Sequence, residues 1–326
     1  MSKNKQERFM GISEFFYKKM LAMLDTSEPK PLQGEPLGRG DSLMTFVVFG
    51  DPQVSNYMFA RENSFYAACK DVARCEGIDA LVIVGDIVEN GMKCEFRTVA
   101  RMLSELSEKV DRFFLVPGNH DIRFRPFKLQ LKRFREFAAS TKNAVVPEEG
   151  RYWHSFDYPC CRFIMMGADR SKIEASYISP AQLEWLDREI GIAESENKPA
   201  FVFNHQTLKR HNGLPMTWLG KGKWRGSIGR QSDDVKRIFE KHNNVIFITG
   251  HLHWGVNEYT CEDYGSYKSI AAPTIGAGNH GTYEYDTQGL VVSVYEDKVI
   301  VRARLFGERR YSGNETACGE VEIKLK

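Results

Sequence analysis

The sequence predicts an α/β fold in which two packed β-sheets lie between layers of helices. Two observations predict it. From Leu43 onward, short apolar runs alternate with longer amphipathic stretches, the rhythm of β–α–β units forming a parallel sheet with helices outside. Beyond His253 no long helix is evident, and short strand-like runs continue to Lys326, read here as completing a second sheet packed on the first. At 326 residues and 42% hydrophobic content, the chain suffices for one large domain or two of ordinary size around a sizeable core.

Taken in order, Phe9, Ile12, Phe16, Met20 and Met23 recur at helical spacing, which predicts an amphipathic helix over residues 5–25. Pro29, Pro31, Gly34, Pro36, Gly38 and Gly40 then mark a linker. Residues 1–41 are therefore read as an arm folded back on a single domain spanning 42–326, with a dimer contact as the second option. Strands at 46–49, 80–84 and 112–116 each precede a helix, near 62–76, 93–109 and 127–139. Residues 151–158 and 161–166 form two strands around Pro159. Ser179-Pro180 opens a helix with Leu183, Leu186 and Ile190 on one face. Strands follow at 201–203, 245–248, 290–295 and 299–305, the last two joined by the turn at 296–298.

A net charge of +2 gives no strong field for nucleic acid. The seven cysteines include no CxxC pair, which argues against a disulfide framework or a zinc ribbon and for a reducing cytoplasm. Charged residues interrupt every apolar stretch near the start, so neither a signal peptide nor a membrane span of ~20 residues is expected. Oligomeric state is not legible.

Five polar clusters fall where strands stop: Asp51-Pro52-Gln53, Gly85-Asp86, Gly118-Asn119-His120-Asp121, Asn204-His205 and Gly250-His251-Leu252-His253. Parallel sheets place ligands beyond the carboxyl ends of their strands, so residues remote in sequence can meet there. Asp51, Gln53, Asp86, Asn119, His205, His251 and His253 offer carboxylates, amide oxygens and imidazoles. Seven such groups exceed the three that a single catalytic zinc takes and suit two ions sharing a carboxylate. Singly, Asp51 and Asp86 would be helix N-caps; with three histidine-bearing clusters beside them, a metal-dependent hydrolase is the better account.

The order Asp-x-Gln, Gly-Asp-x-x-x-x-Gly, Gly-Asn-His-Asp, Asn-His, Gly-His-x-His resembles the calcineurin-like metallophosphoesterases over roughly residues 44–255, in a branch with Asp-x-Gln in the first motif. The resemblance implies that fold's four-layer architecture, α/β with two mixed sheets flanked by helices. It also implies two divalent ions. Asp51, Gln53, Asp86 and His253 would hold one, Asp86 would bridge, and Asn119, His205 and His251 would complete the other. His120 would face the substrate as general acid or phosphate-stabilising group. A hydroxide shared by the ions would attack phosphorus in line. The substrate would be a phosphate monoester, a phosphodiester or a nucleotide-type small molecule. The alternatives are a non-catalytic metal-binding scaffold of the same fold, which could dispense with His120, and a nuclease.

Three departures from the common pattern matter. Gln53 stands where the family usually has His, and its carbonyl oxygen favours manganese or magnesium over zinc, with iron as a further alternative. Glu89 and Asn90 stand where the protein Ser/Thr phosphatases have Asp-Arg; Glu89 is expected to orient His120, and the absent Arg argues against a phosphoprotein substrate. The long stretch 207–231 carries Lys209, Arg210, Trp218, Lys221, Trp224, Arg225 and Arg230. It either folds over the site to contact an anionic substrate or is a solvated loop. Gly278-Asn279-His280 lacks a following acid and reads as a turn, with a substrate-side His280 the lesser option. Arg123 and Arg125 are placed to meet phosphate.

Overall fold

The computed structural model describes residues 37–38, 40–56, 59–220, 223–224, 226–280, 287–311 and 319–326. The arm helix expected over 5–25 lies outside the described residues, as do Lys221 and Arg225.

The first sheet contains β1 (Met44–Phe49), β2 (Ile78–Val84) and β3 (Val110–Val116), paired parallel in that order. α1 (Phe59–Ala73) and α2 (Lys93–Glu105) are the crossovers between them. The short helix α3 (Asn119–Ile122) and α4 (Phe127–Ser140) follow β3. The second sheet is built from β4 (His154–Asp157), β5 (Arg162–Met165), β6 (Ala200–Phe203), β7 (Val245–Thr249), β8 (Cys261–Asp263) and β9 (Tyr267–Ala271). Its order is β4-β5-β6-β7-β9-β8, parallel from β5 to β9 with antiparallel edges. α5 (Pro180–Ser195) and α6 (Ser232–Lys241) serve this sheet. Ser179 caps α5, its hydroxyl accepting from the Gln182 amide, with Pro180 at the first helical position as the sequence predicts.

The C-terminal strands correct one expectation. β10 (Gln288–Val294), β11 (Lys298–Leu305), β12 (Arg310–Tyr311) and β13 (Glu320–Lys324) extend the first sheet, giving the order β12-β11-β10-β1-β2-β3 with β13 also on β11. β10 runs antiparallel to β1, Phe46 opposite Val292. Only β8 and β9, among the strands after His253, join the second sheet.

Side chains alternate across β1 and so define the layers. Phe46 and Val48 point between the sheets, where they pack with Phe163, Phe201, Phe203, Ile246 and Ile248. Val47 and Phe49 point the other way, onto Phe65 of α1, Phe96 of α2 and Phe134 of α4. The outer face of the second sheet packs on Trp185, Leu186, Ile190, Val235 and Phe239 of α5 and α6. The result is helix, sheet, sheet, helix. Phe46 meets Phe163 and Phe201 edge-on at ring-centroid distances of 4.8 and 5.0 Å. Each fully buried Phe contributes roughly 1.5–3 kcal/mol, so this stack locks the two sheets in one relative placement. No helix among the described residues is long and apolar enough to cross a membrane.

Candidate metal centre

The loops after β1, β2, β3, β6 and β7 converge at the carboxyl ends of both sheets. They bring together all three predicted imidazoles and both carboxylates. Nε2 of His205 lies 3.2 Å from Oδ2 of Asp86, 3.1 Å from Nδ1 of His251 and 3.8 Å from Oδ1 of Asp51. Nε2 of His253 lies 3.0 Å from Asp51 Oδ1. Asp86, His205 and His251 form one group and Asp51, Asp86 and His253 another, with the donor atoms of each group within 4.8 Å of one another. Asp86 belongs to both. Asp51 and His205 are fully buried, and Asp86, His251, Gln53 and Asn119 nearly so.

The backbone is shaped for this. Asp51, Gln53, Asp86, His251 and His253 all have positive φ, between 45° and 71°. Each costs roughly 1–2 kcal/mol for a residue with a Cβ, and such strain is found where side chains must be re-aimed. Backbone amides then fix the carboxylates. His251 N–H donates to Asp51 Oδ2 at 2.9 Å, His120 N–H donates to Asp86 Oδ1 at 2.8 Å, and Gln53 N–H donates to the Asp86 carbonyl at 2.8 Å. Glycines supply the clearance. A methyl on Gly85 would sit 2.4 Å from the His205 ring, one on Gly250 2.6 Å from Asp51 Oδ2, and one on Gly118 2.1 Å from Asp86. Asp121 ties two loops together by accepting from the amides of Gly118, Val88 and Ile87 at 2.7, 2.9 and 3.2 Å. Burial, then the neighbouring Asp86 charge, raises its carboxyl to about 7.

The electrostatics call for added positive charge. Burial pushes the His205 imidazolium down, yet Asp86 and Asp51 outweigh it and hold the pKa at about 9. Burial raises Asp86, but His205 and His120 overcome it and keep its carboxyl far below the usual range. Burial and the charge on His205 push His251 well below its ordinary value. The protein alone thus needs protons in this pocket, and divalent cations would take their place. Nδ1–H of His205 donates to the Val84 carbonyl at 2.8 Å, which turns the Nε2 lone pair into the pocket. Nε2 of His251 is buried with no hydrogen-bond partner among the described residues. Mixed oxygen and imidazole donors, a shared carboxylate and an unpartnered imidazole nitrogen all fit a dinuclear divalent centre.

The amide candidates are placed as follows. Asn119 Oδ1 accepts from Gln206 Nε2 at 3.3 Å, and its Nδ2 lies 3.5 Å from Glu174 Oε2. Gln53 is buried two residues from Asp51, and its main-chain carbonyl lies 3.5 Å from the Arg61 guanidinium. His120 stands at the open edge, its Nδ1 2.9 Å from the Glu89 carbonyl and 3.3 Å from Glu89 Oε1. The Arg123 guanidinium approaches the same nitrogen at 3.0 Å. Burial lowers His120, Asp86 and Glu89 raise it, and the balance is about 9. Asn90 bonds Glu95 at 2.9 Å, and Arg125 reaches the Asn90 carbonyl at 2.8 Å. His280 is stacked 6.3 Å from His253, its amide bonded to the His253 carbonyl at 2.6 Å.

Sequence reasoning missed several neighbours. Arg61 of α1 pairs with Glu89 at 2.5 Å. Glu174 lies 3.4 Å from Arg123. Thr274 holds the Asp51 carbonyl through its hydroxyl at 2.9 Å. Gln206 alone had a signal, since it follows His205 directly; the others sit in segments without a pattern.

Comparison with known proteins places the fold and the family. None of the curated proteins searched matches the chain. Among solved structures, a dimetal phosphatase from Danio rerio is 16% identical with a TM-score of 0.60, covering 88% of this chain and 100% of its own. A purple acid phosphatase from yellow lupin (Lupinus luteus) seeds is 14% identical with a TM-score of 0.57, covering 89% of this chain and 55% of its own. At these identities the likeness is one of fold. The family model for calcineurin-like phosphoesterases matches residues 44–255, the stretch that holds all five motifs, and this chain belongs to that family.

Proposed function

We infer that this metal-dependent phosphoester hydrolase acts on a small phosphate monoester, phosphodiester or nucleotide-type substrate. The observation that carries the reading is the pair of donor groups sharing Asp86. On this reading Asp51, Asp86 and His253, with Gln53, would hold one ion, and Asp86, His205 and His251, with Asn119, would hold the other. When bound, two divalent cations supply positive charge that stabilises the phosphoryl oxygens and lowers the pKa of water. The amide oxygens of Gln53 and Asn119 favour manganese, with iron, zinc or magnesium as alternatives. Residues 42–326 act as one catalytic domain and 1–41 as an arm. A cytoplasmic setting belongs to the same proposal and rests on the odd cysteine count without a CxxC pair.

The chain's own groups divide the remaining work. His120 delivers a proton to the departing oxygen, held by the Glu89 carbonyl at 2.9 Å with Glu89 Oε1 at 3.3 Å. Arg123, 3.0 Å from the same imidazole, meets the phosphoryl charge at the open edge. The presence of His120 favours catalysis over the scaffold alternative. The weak net charge, +2, disfavours the nuclease.

The deciding experiment takes metal-free protein, reloads it with Mn²⁺, Mg²⁺, Zn²⁺ or Fe²⁺, and screens chromogenic esters and phosphorylated metabolites. His120→Ala should keep both ions and lose most turnover, typically 10²–10⁴-fold for a general acid, so about 100-fold at least. Two bound ions with no turnover of any ester would favour the scaffold. Loss of an ion in His120→Ala with normal chemistry remaining would end the role assigned to His120.

A further inference from the structure

Two of the imidazoles are held in different ways. The ring of His205 is fixed by a hydrogen bond to the Val84 carbonyl, the usual device for orienting a ligand histidine. His251 has no such backbone anchor among the described residues: its Nδ1 meets His205 Nε2 at 3.1 Å, and its Nε2 has no partner there. What lies on it is Trp218, with ring centroids 4.6 Å apart and planes inclined by 29°.

Trp218 projects from a segment held by hydrogen bonds at several points. The 207–231 segment is pinned by the buried Asn212, whose Nδ2 donates to the carbonyls of Thr260 and Ser269 at 3.0 and 3.1 Å. The Thr217 hydroxyl, one residue before Trp218, donates to the Asn212 carbonyl at 2.7 Å. Ile228 N–H closes the base of the segment on the Thr207 carbonyl at 2.8 Å. Leu214, Leu252 and Ala271 pack with Trp218 and Trp254 beneath the histidine pair. Bare glycines make room for the indole. A methyl on Gly220 would lie 2.4 Å from its Cζ2 and one on Gly226 2.6 Å from its Cε3. Among the described residues the buried indole N–H has no partner, which costs about 1–3 kcal/mol. A tryptophan kept at that cost is kept for its faces.

We propose that Trp218 is a positioning residue: by stacking on His251 it fixes the plane of that imidazole, and so the 207–231 segment sets the affinity of one of the two cations without touching it. The proposal rests on His251 being a ligand, as inferred above. Stacking does for His251 what the Val84 carbonyl does for His205.

The test measures Mn²⁺ binding to metal-free protein by equilibrium dialysis, with tryptophan emission followed in parallel. Trp218→Ala should weaken one of two binding steps about 10- to 100-fold, the range for partners that orient a ligand, and spare the other. Trp218→Phe keeps a stacking face and should stay within about threefold of the parent. Gly220→Ala keeps the indole but displaces it and should fall between the two; it carries the test if Trp218→Ala does not fold. The emission lost in Trp218→Phe should be the part that responds to Mn²⁺. Parent affinity at both steps in Trp218→Ala, or equal losses in the Ala and Phe variants, would overturn the proposal. His251→Ala separates the two ideas. It should lose the same ion, and retention of both ions would remove the ligand assignment itself.

Discussion

Gly118→Ala tests how the two donor groups are held together. The added methyl would stand 2.1 Å from the amide nitrogen of Asp86 and 2.1 Å from its Oδ1. Ordinary contact lies at about 3.5 Å, so one of the two loops must retreat by more than ~1 Å. Gly118 has φ −96° and ψ −178°, extended backbone that alanine adopts freely, so crowding is the whole objection. The loop has little room to give, because Asp121 clamps the Gly118 amide at 2.7 Å. Overpacking of this kind costs about 1–3 kcal/mol of stability. The functional loss is larger, since misplacement by ~1 Å costs roughly 100-fold and Asp86 serves both donor groups. We expect kcat/KM on a chromogenic phosphoester to fall about 100-fold, with Mn²⁺ retention at limiting metal reduced at both sites. Two ions bound at parent affinity with kcat/KM unchanged would show that the loops are not in contact as described.

Three further outcomes test the fold around the site. Gly191→Ala in α5 places a methyl 3.6 Å from the His242 ring, an ordinary contact, and should raise stability by about 0.5–1 kcal/mol in urea titration; a loss would contradict the helix. Asp71→Ala removes the carboxylate that Arg304 grips at 2.8 and 3.1 Å in a fully buried pair, and should cost about 3–5 kcal/mol; a change under 1 kcal/mol would mean the pair is not buried. Burial holds His154 at about 4, below its ordinary 6.5, so the unfolded chain takes the proton first. Its contribution is therefore intact above pH 6.5 and is lost as pH falls toward 4, by about 3 kcal/mol in all. Unfolding free energy measured from pH 7 to 4.5 should fall less steeply in His154→Leu than in the parent, and identical slopes would refute the assignment.

Much of the site was legible because its chemistry is local. Asp51, Asp86, Asn119, His205 and His251 each follow an apolar strand within a few residues, and a strand's end is readable from composition alone. What pairs with what is not local. β10 is buried on both faces, so its sequence carries no alternation to record which neighbour it joins. Its place beside β1 was therefore misassigned to the other sheet. The same holds for contacts made by isolated residues. Arg61 lies on a helix face and Glu174 in an irregular loop, and neither repeats or spaces in a way that marks its partner, Glu89 or Arg123. Trp218 stands out in the sequence within a basic, aromatic stretch, but the partner of its indole, His251, lies on a different strand's loop, so the contact carries no local mark.

The antiparallel seam between β1 and β10 has a consequence for biosynthesis. β1 leaves the ribosome well before β10, and some 240 residues separate it from the strand that covers one of its edges. At ~5–20 residues per second, the nascent chain carries the open backbone of Met-Thr-Phe-Val-Val-Phe for roughly 10–50 s. Such an edge is a template for intermolecular pairing. Any fragment that stops at residue 255 keeps every histidine of the centre but never acquires the strand that shields that edge, and it should demand chaperones where a chain that includes β10 does not.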